Sequence, residues 1–223
     1  MCVGTHVAYD RFVMMFTTPA GTEWHVRDPD KKLSLRARLP GAFVYDVSAH
    51  SLKNAKARGA PALERIPLAF ASSWLVNSPA SSKVLRRWAL PPQFDVWIAL
   101  IGSLEGPLSN PGEWAPVKAL VSRLGDEPFL VEAVSKVLAL LVPHAIPLMP
   151  EPARKFLLGE SAGADVDSFV KIGSWFVEAV RAHAAELTEC AGAHEEVTLE
   201  GAQVLDRLLW FDSEGHRHFP GEL

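Results

Sequence analysis

Residues 131–157 read VEAVSKVLALLVPHAIPLMPEPARKFL: an apolar helix, a turn punctuated by prolines, and a second helix that opens with charge. Pro143 has no N–H to donate, and its ring disfavours a helical residue before it, so the first helix has to stop there. Glu151 then stands at the start of the next helix, where the positive end of the macrodipole favours an acid. From Val137 to Pro150 the chain runs 14 residues without Asp, Glu, Lys or Arg, broken by Pro143, Pro147 and Pro150. That is too short and too interrupted to span a bilayer. The stretch reads instead as the centre of a folded helical body.

Helical spacing continues on both sides of it. Residues 61–76 predict a helix disturbed by Pro67, and Ser78-Pro79 is an N-cap followed by proline at the first helical position. Phe94, Trp97, Ile98 and Ile101 share one face of a helix over 94–104. Further helices are expected over 113–124 and 127–142, separated by Gly125. Phe169, Ile172, Phe176, Val180, His183 and Leu187 form one stripe, predicting a single long helix over 167–190. A last helix reaches Trp210 on Val204, Leu205, Leu208 and Leu209, and Asp212 to Gly215 closes it as a turn.

The first sixty residues have another texture. Residues 6–16 are rich in Val, Tyr, Phe and Met, Thr17 to Gly21 is a turn cluster, and Glu23 to Val26 can return as a second strand. Arg27 to Pro40 reads as charged and turn-prone, with an exposed bend at Asp28-Pro29-Asp30. Phe43 to Val47 reads as one more short strand. The expected fold is therefore mainly α, a compact multi-helix, bundle-like domain over 60–223 with a small β or irregular, basic portion over 1–59.

Composition narrows the class. The chain has 223 residues, 48% of them apolar and 22% charged, which suits an ordinary globular protein with a sizeable core. Two cysteines, Cys2 and Cys190, indicate neither a zinc cage nor a disulfide framework. The N-terminus lacks the pattern of a secretory signal, and a cytoplasmic location is the expectation. The net charge of −4 hides a split: residues 1–90 hold 13 Lys and Arg against 6 Asp and Glu, whereas residues 91–223 hold 9 against 20. Such a split suits either a basic surface for an anionic partner or two halves that pack with complementary charge.

No phosphate-binding glycine loop, dinucleotide fingerprint or G-x-S-x-G turn is present, which weighs against nucleotide-dependent and hydrolase chemistry. His216 and His218 alternate near the C-terminus, and His194 precedes two glutamates, but no fixed metal-ligand spacing appears, so no metal or other cofactor is expected. His183 lies on an apolar stripe and reads as a hydrogen-bonded core histidine. Asp165 and Asp167 read as capping acids at a helix start. The seven tryptophans read as packing. Lys53, Lys56 and Arg58, with Lys83, Arg86 and Arg87 beside Trp88, are the candidate nucleic-acid contacts, since cations beside an aromatic suit phosphate contact with base stacking.

Ser135-Lys136-Val137-Leu138, then Pro143, then Pro147, then a short helix, resembles a segment of a family of bacterial helical proteins with no assigned activity. The ending Val204-Leu205-Asp206-Arg207-Leu208-Leu209-Trp210 resembles theirs too. That segment is distantly similar to part of the helix-hairpin-helix DNA glycosylases, in which a proline-led turn presents a catalytic Asp at a helix start, beside a flipped base. The resemblance implies a helical scaffold and makes Glu151 and Lys136 the candidate catalytic groups. The chain departs at the decisive position: Pro150 stands where the pattern has Asp, and Glu151 falls one residue late.

The sequence thus favours a non-catalytic helical protein that binds a macromolecular partner, nucleic acid through the basic N-terminal half being the leading case. A glycosylase-like enzyme acting on a nucleobase or nucleotide is the first alternative. A protein-binding regulatory or immunity-type module is the second. No membrane partner is expected, and the oligomeric state is not indicated.

Overall fold

A computed structural model of the chain describes residues 14–75, 93–125, 129–192 and 199–222. Among these residues the fold is mainly α, ten helices and one two-stranded sheet. The strands β1 (Met14–Thr17) and β2 (Glu23–Val26) form the expected hairpin, in antiparallel register with Phe16 opposite Trp24. Period-two alternation buries Met14, Phe16, Trp24 and Val26 and leaves the residues between them exposed. The indole N–H of Trp24 donates to Asp212 at 2.8 Å, and that of Trp175 to the Thr17 carbonyl at 2.8 Å. These two bonds fasten the sheet to the helical body.

Two sequence expectations fail directly after the hairpin. The stretch read as an irregular bend is helix α1 (Pro29–Ala37), and the short strand read at Phe43–Val47 lies inside helix α2 (Pro40–Ala57). In both, proline stands in the first turn, where its missing N–H leaves nothing unsatisfied. The apolar run at 43–47 resembles a strand over five residues. Over a longer window Tyr45, Ala49 and Leu52 recur at helical spacing, and all three are buried. Among the described residues helices therefore begin at residue 29 and the β portion is the hairpin; residues 6–13 of the expected first strand lie outside them.

Beyond residue 60 the elements follow the sequence closely: α3 (Ala62–Leu75), α4 (Phe94–Leu104), α5 (Trp114–Leu124), α6 (Leu130–Leu141) and α7 (Glu151–Leu158). The helix expected after Ser78-Pro79, with Lys83, Arg86, Arg87 and Trp88, lies outside the described residues. The long helix expected over 167–190 is two: α8 (Val166–Ala182) and α9 (Ala184–Gly192). His183, at φ −113° and ψ 26°, leaves helical geometry between them. Its ring packs against Phe16 at 4.5 Å, and the change of direction lays α9 along α10 (Gly201–Ser213). A short 3-10 turn, Gly215–His218, follows α10.

Helix α6 is the core of the assembly. Ten of its residues are buried, leaving only Glu132 and Lys136 partly exposed, so it is apolar nearly all round, as a fully enclosed helix must be. Helices α2 and α3 pack against it, α3 in turn meets α4, and α5 bridges α4 and α8. No helix among the described residues is long and apolar enough to cross a membrane.

Candidate functional site

The proline turn after α6 is buried, with Ala145, Ile146 and Met149 at 1% exposure or less, yet it has little hydrogen-bond ladder of its own. Buried backbone groups must find partners, and here side chains supply them. Ser135 Oγ accepts from the Met149 N–H at 3.0 Å and donates to the Glu132 carbonyl. Asp206 accepts from the Leu148 N–H at 2.7 Å. Arg154 donates to the Met149 carbonyl at 2.7 Å. The stretch 135–157 and the ending 204–210, far apart in sequence, therefore meet at this turn.

A buried charge cluster extends from the same place. Asp46 on α2 accepts from Arg36 on α1 (3.0 and 3.3 Å) and from Arg207 on α10 (2.6 and 3.3 Å), so both its oxygens are shared between two guanidinium groups. All three side chains are at most 10% exposed. Burial pushes the Asp206 carboxyl above its usual range, opposed by the Leu148 N–H and by Arg36 and Arg207. Burial, then the Asp206 charge, pushes the Tyr45 phenol well above its usual range, so it stays an O–H donor, aimed at the Lys136 carbonyl at 3.4 Å.

Above this cluster lies a cleft of about 360 Å³. Its floor and cationic side come from Arg36, Tyr45 and Lys136, and one wall from Leu39, Gly41 and Ala42 at the start of α2. Leu148 and Pro150 of the proline turn form a second wall, and Trp210, Glu214 and His218 close the third. The size lies at the lower end of small-ligand sites, whose walls are mostly apolar with a few convergent polar groups. Trp210 is held firmly in place. Arg36 lies over its ring at 5.7 Å, and His218 stacks on it at 6.0 Å with planes 14° apart. Gly215 backs the ring so closely that an added Cβ would come within 2.4 Å of it. Only a residue without a side chain fits there.

Lys136, a candidate from sequence, lines this cleft and pairs with Glu132 at 2.7 Å, one helical turn away. Glu151, the other catalytic candidate, does not line the cleft. Its side chain is 63% exposed and pairs with Lys155 at 2.8 Å, which holds the carboxyl below its usual range. Pro150, at the position where the resembled pattern has Asp, does line the cleft.

Among the nucleic-acid candidates, Lys53 pairs with Glu200 at 2.8 Å and Lys56 with Glu105 at 2.6 Å, while Arg58 is exposed just past the end of α2. Lys83, Arg86 and Arg87 lie outside the described residues. Of the two acids read as caps, Asp165 accepts from the Ser168 N–H at 2.7 Å, whereas Asp167, in the first turn of α8, pairs with Lys118. His216 and His218 sit on the 3-10 turn after α10. Among the described residues no three His, Cys, Asp or Glu side chains gather as metal ligands would.

Sequence reasoning missed Arg36, Asp46, Arg207 and the walls around Trp210. One signal was available: Asp206-Arg207 interrupts the apolar run Val204-Leu205…Leu208-Leu209, and adjacent charges inside an otherwise apolar helix have to be paired or functional. Comparison with family models, curated proteins and solved structures found no match.

Proposed function

We propose that this protein is a non-catalytic nucleic-acid-binding protein, and that its binding site is the cleft between α1, α2, α6 and α10 rather than the basic C-terminal part of α2. One observation carries the proposal. The cleft joins two cations, Arg36 and Lys136, to the supported indole of Trp210, in a volume suited to one nucleotide-sized group. Cations for the backbone and an aromatic platform for a base are the two parts that single-strand binding needs. Glu214 is the single carboxylate among the described lining residues, so no pair of carboxylates lines the site. Lys53 and Lys56 have carboxylate partners, as Arg36 and Lys136 do, so the Trp210 indole beside the cations, and not unpaired charge, is what favours the cleft.

Mobility shifts of a short single-stranded oligonucleotide at two salt concentrations test this reading. Binding at low salt should weaken as salt rises, and Trp210→Ala should lower affinity by about 1–3 kcal/mol. Absence of any shift at low salt removes the proposal.

A second reading, a glycosylase-like enzyme, is favoured by the placement of Lys136 and Pro150, both from the resembled segment, in one cleft. Duplexes carrying damaged bases, incubated with the protein and with Glu151→Gln and Lys136→Gln variants, decide it. Base release by the native chain that falls in Lys136→Gln supports the enzyme, and equal background release from all three ends that reading.

A further inference from the structure

A second groove, of about 380 Å³, is lined by four rings: Pro19 of the hairpin turn, Pro111 in the 3-10 turn ahead of α5, Trp114 of α5 and Trp175 of α8. Its walls are fixed before any ligand arrives. The Trp175 indole N–H donates to the Thr17 carbonyl at 2.8 Å. Trp114 is buried, and α8 lies so close to its ring that a Cβ added at Gly173 would stand 2.6 Å from it. The proline rings are rigid by construction. Rigid walls spare a ligand the entropy cost of ordering them.

Charge brackets these rings. Lys171 and Glu178 line the same groove, are exposed, and stand one helical turn to either side of Trp175. Neither side chain has an ion pair or a side-chain hydrogen bond to another described residue. The neighbouring charges are taken: Asp167 pairs with Lys118, Arg181 donates to Ser109, and Glu113 accepts from the Asn110 N–H. The groove therefore has a cation at one end and an anion at the other. At a rise of 1.5 Å per residue the two are about 10 Å apart along α8.

This combination selects among the ways of binding a peptide. A helix, about 10–12 Å across with its side chains, is too wide to seat in such a volume. No strand residue lines the groove, so a ligand cannot add to a sheet edge there. An extended polyproline II segment fits: its rings pack on aromatic and proline walls, and its backbone is ordered before it binds. It advances about 3.1 Å per residue, so three to four residues cover the distance from Lys171 to Glu178. Ser174, on the same wall, supplies a hydroxyl for a ligand carbonyl.

We infer that this groove docks an extended, proline-bearing peptide segment of a protein partner, with an acidic side chain at Lys171 and a basic one at Glu178, three to four residues apart. The inference stands independently of the nucleic-acid reading, because the groove and the cleft at Trp210 share no lining residue.

The experiment is fluorescence polarisation of labelled synthetic peptides with the full chain. The peptides carry the cores Glu-Pro-Pro-Pro-Lys, Glu-Gly-Gly-Gly-Lys, Lys-Pro-Pro-Pro-Lys and Glu-Pro-Pro-Pro-Glu between Gly-Ser flanks. The native chain should bind the mixed-charge proline peptide tightest. Its glycine counterpart, without ring packing or an ordered backbone, should bind at least about tenfold more weakly. Lys171→Glu should make the doubly basic peptide the tightest ligand, and Glu178→Lys the doubly acidic one. Each change should be about two- to fivefold, as for a charge at an exposed rim. Both positions are exposed, so both variants should keep the native thermal midpoint, and either one suffices for the comparison.

Equal affinity for the proline and glycine peptides overturns the polyproline mode and the proposal with it. An unchanged ranking in a folded charge variant overturns the placement in this groove. No binding of any peptide up to about 1 mM overturns the inference outright. Self-association of the native chain that the charge variants abolish makes a second copy the occupant, and overturns the peptide reading too.

Discussion

At its C-terminal end α2 carries Lys53 and Lys56, each within 2.8 Å of a carboxylate from the acidic half of the chain, on solvent-exposed side chains. At its N-terminal end the same helix meets Arg36 and Lys136 across a cleft, with no acid in its first turn. The first end holds more positive charge in sequence, yet its lysines are matched by Glu200 and Glu105. The second holds none of its own; its two cations, Arg36 and Lys136, come from two other helices and pair with Asp46 and Glu132. Cations at both ends are paired, so on the proposed reading the Trp210 indole beside them, and not a count of charge along the chain, sets the cleft apart.

The sharpest way to break the comparison is at the floor of the cleft. Asp46→Ala leaves Arg36 and Arg207 buried without their shared carboxylate, and should destabilise the protein by about 3–5 kcal/mol in urea denaturation. A loss below 1 kcal/mol would mean that the cluster is not the clamp between α1, α2 and α10. Gly215→Ala comes next. The added methyl meets the Trp210 ring, so the indole must move, at a cost of about 1–3 kcal/mol and with a shift in its fluorescence. Unchanged fluorescence and stability would show that Trp210 is not held as described. The smallest effect belongs to the other end: Lys53→Ala and Lys56→Ala should each cost about 0.2–1 kcal/mol. Neither should weaken oligonucleotide binding, whereas a large loss in either variant would return the interface to the basic face.

Legibility from sequence followed the length of the signal. Helix α6 and the turn after it could be read because apolar residues cover a full helix and Pro143 admits no other ending. The segment 29–57 could not, because the short apolar run from Phe43 to Val47 resembles a strand and only the buried set Tyr45, Ala49 and Leu52 shows the helical period. The break at His183 left no mark either: the ring it packs against, Phe16, lies 167 positions earlier. Lys136 was found because the resembled segment drew attention to it. Glu151 was chosen on the same ground, but the structure turns it to solvent and brings Pro150 to the cleft instead. Arg36, Asp46 and Trp210 converge from three helices, and no single stretch of sequence contains that convergence.

The most direct test is to record backbone and indole N–H resonances of the isotope-labelled chain while titrating a short single-stranded oligonucleotide. The account predicts the largest shifts at Gly41, Ala42, Lys136 and the Trp210 indole, with Lys53, Lys56 and Arg58 unmoved. Shifts centred on Lys53, Lys56 and Arg58, with the cleft silent, would contradict it.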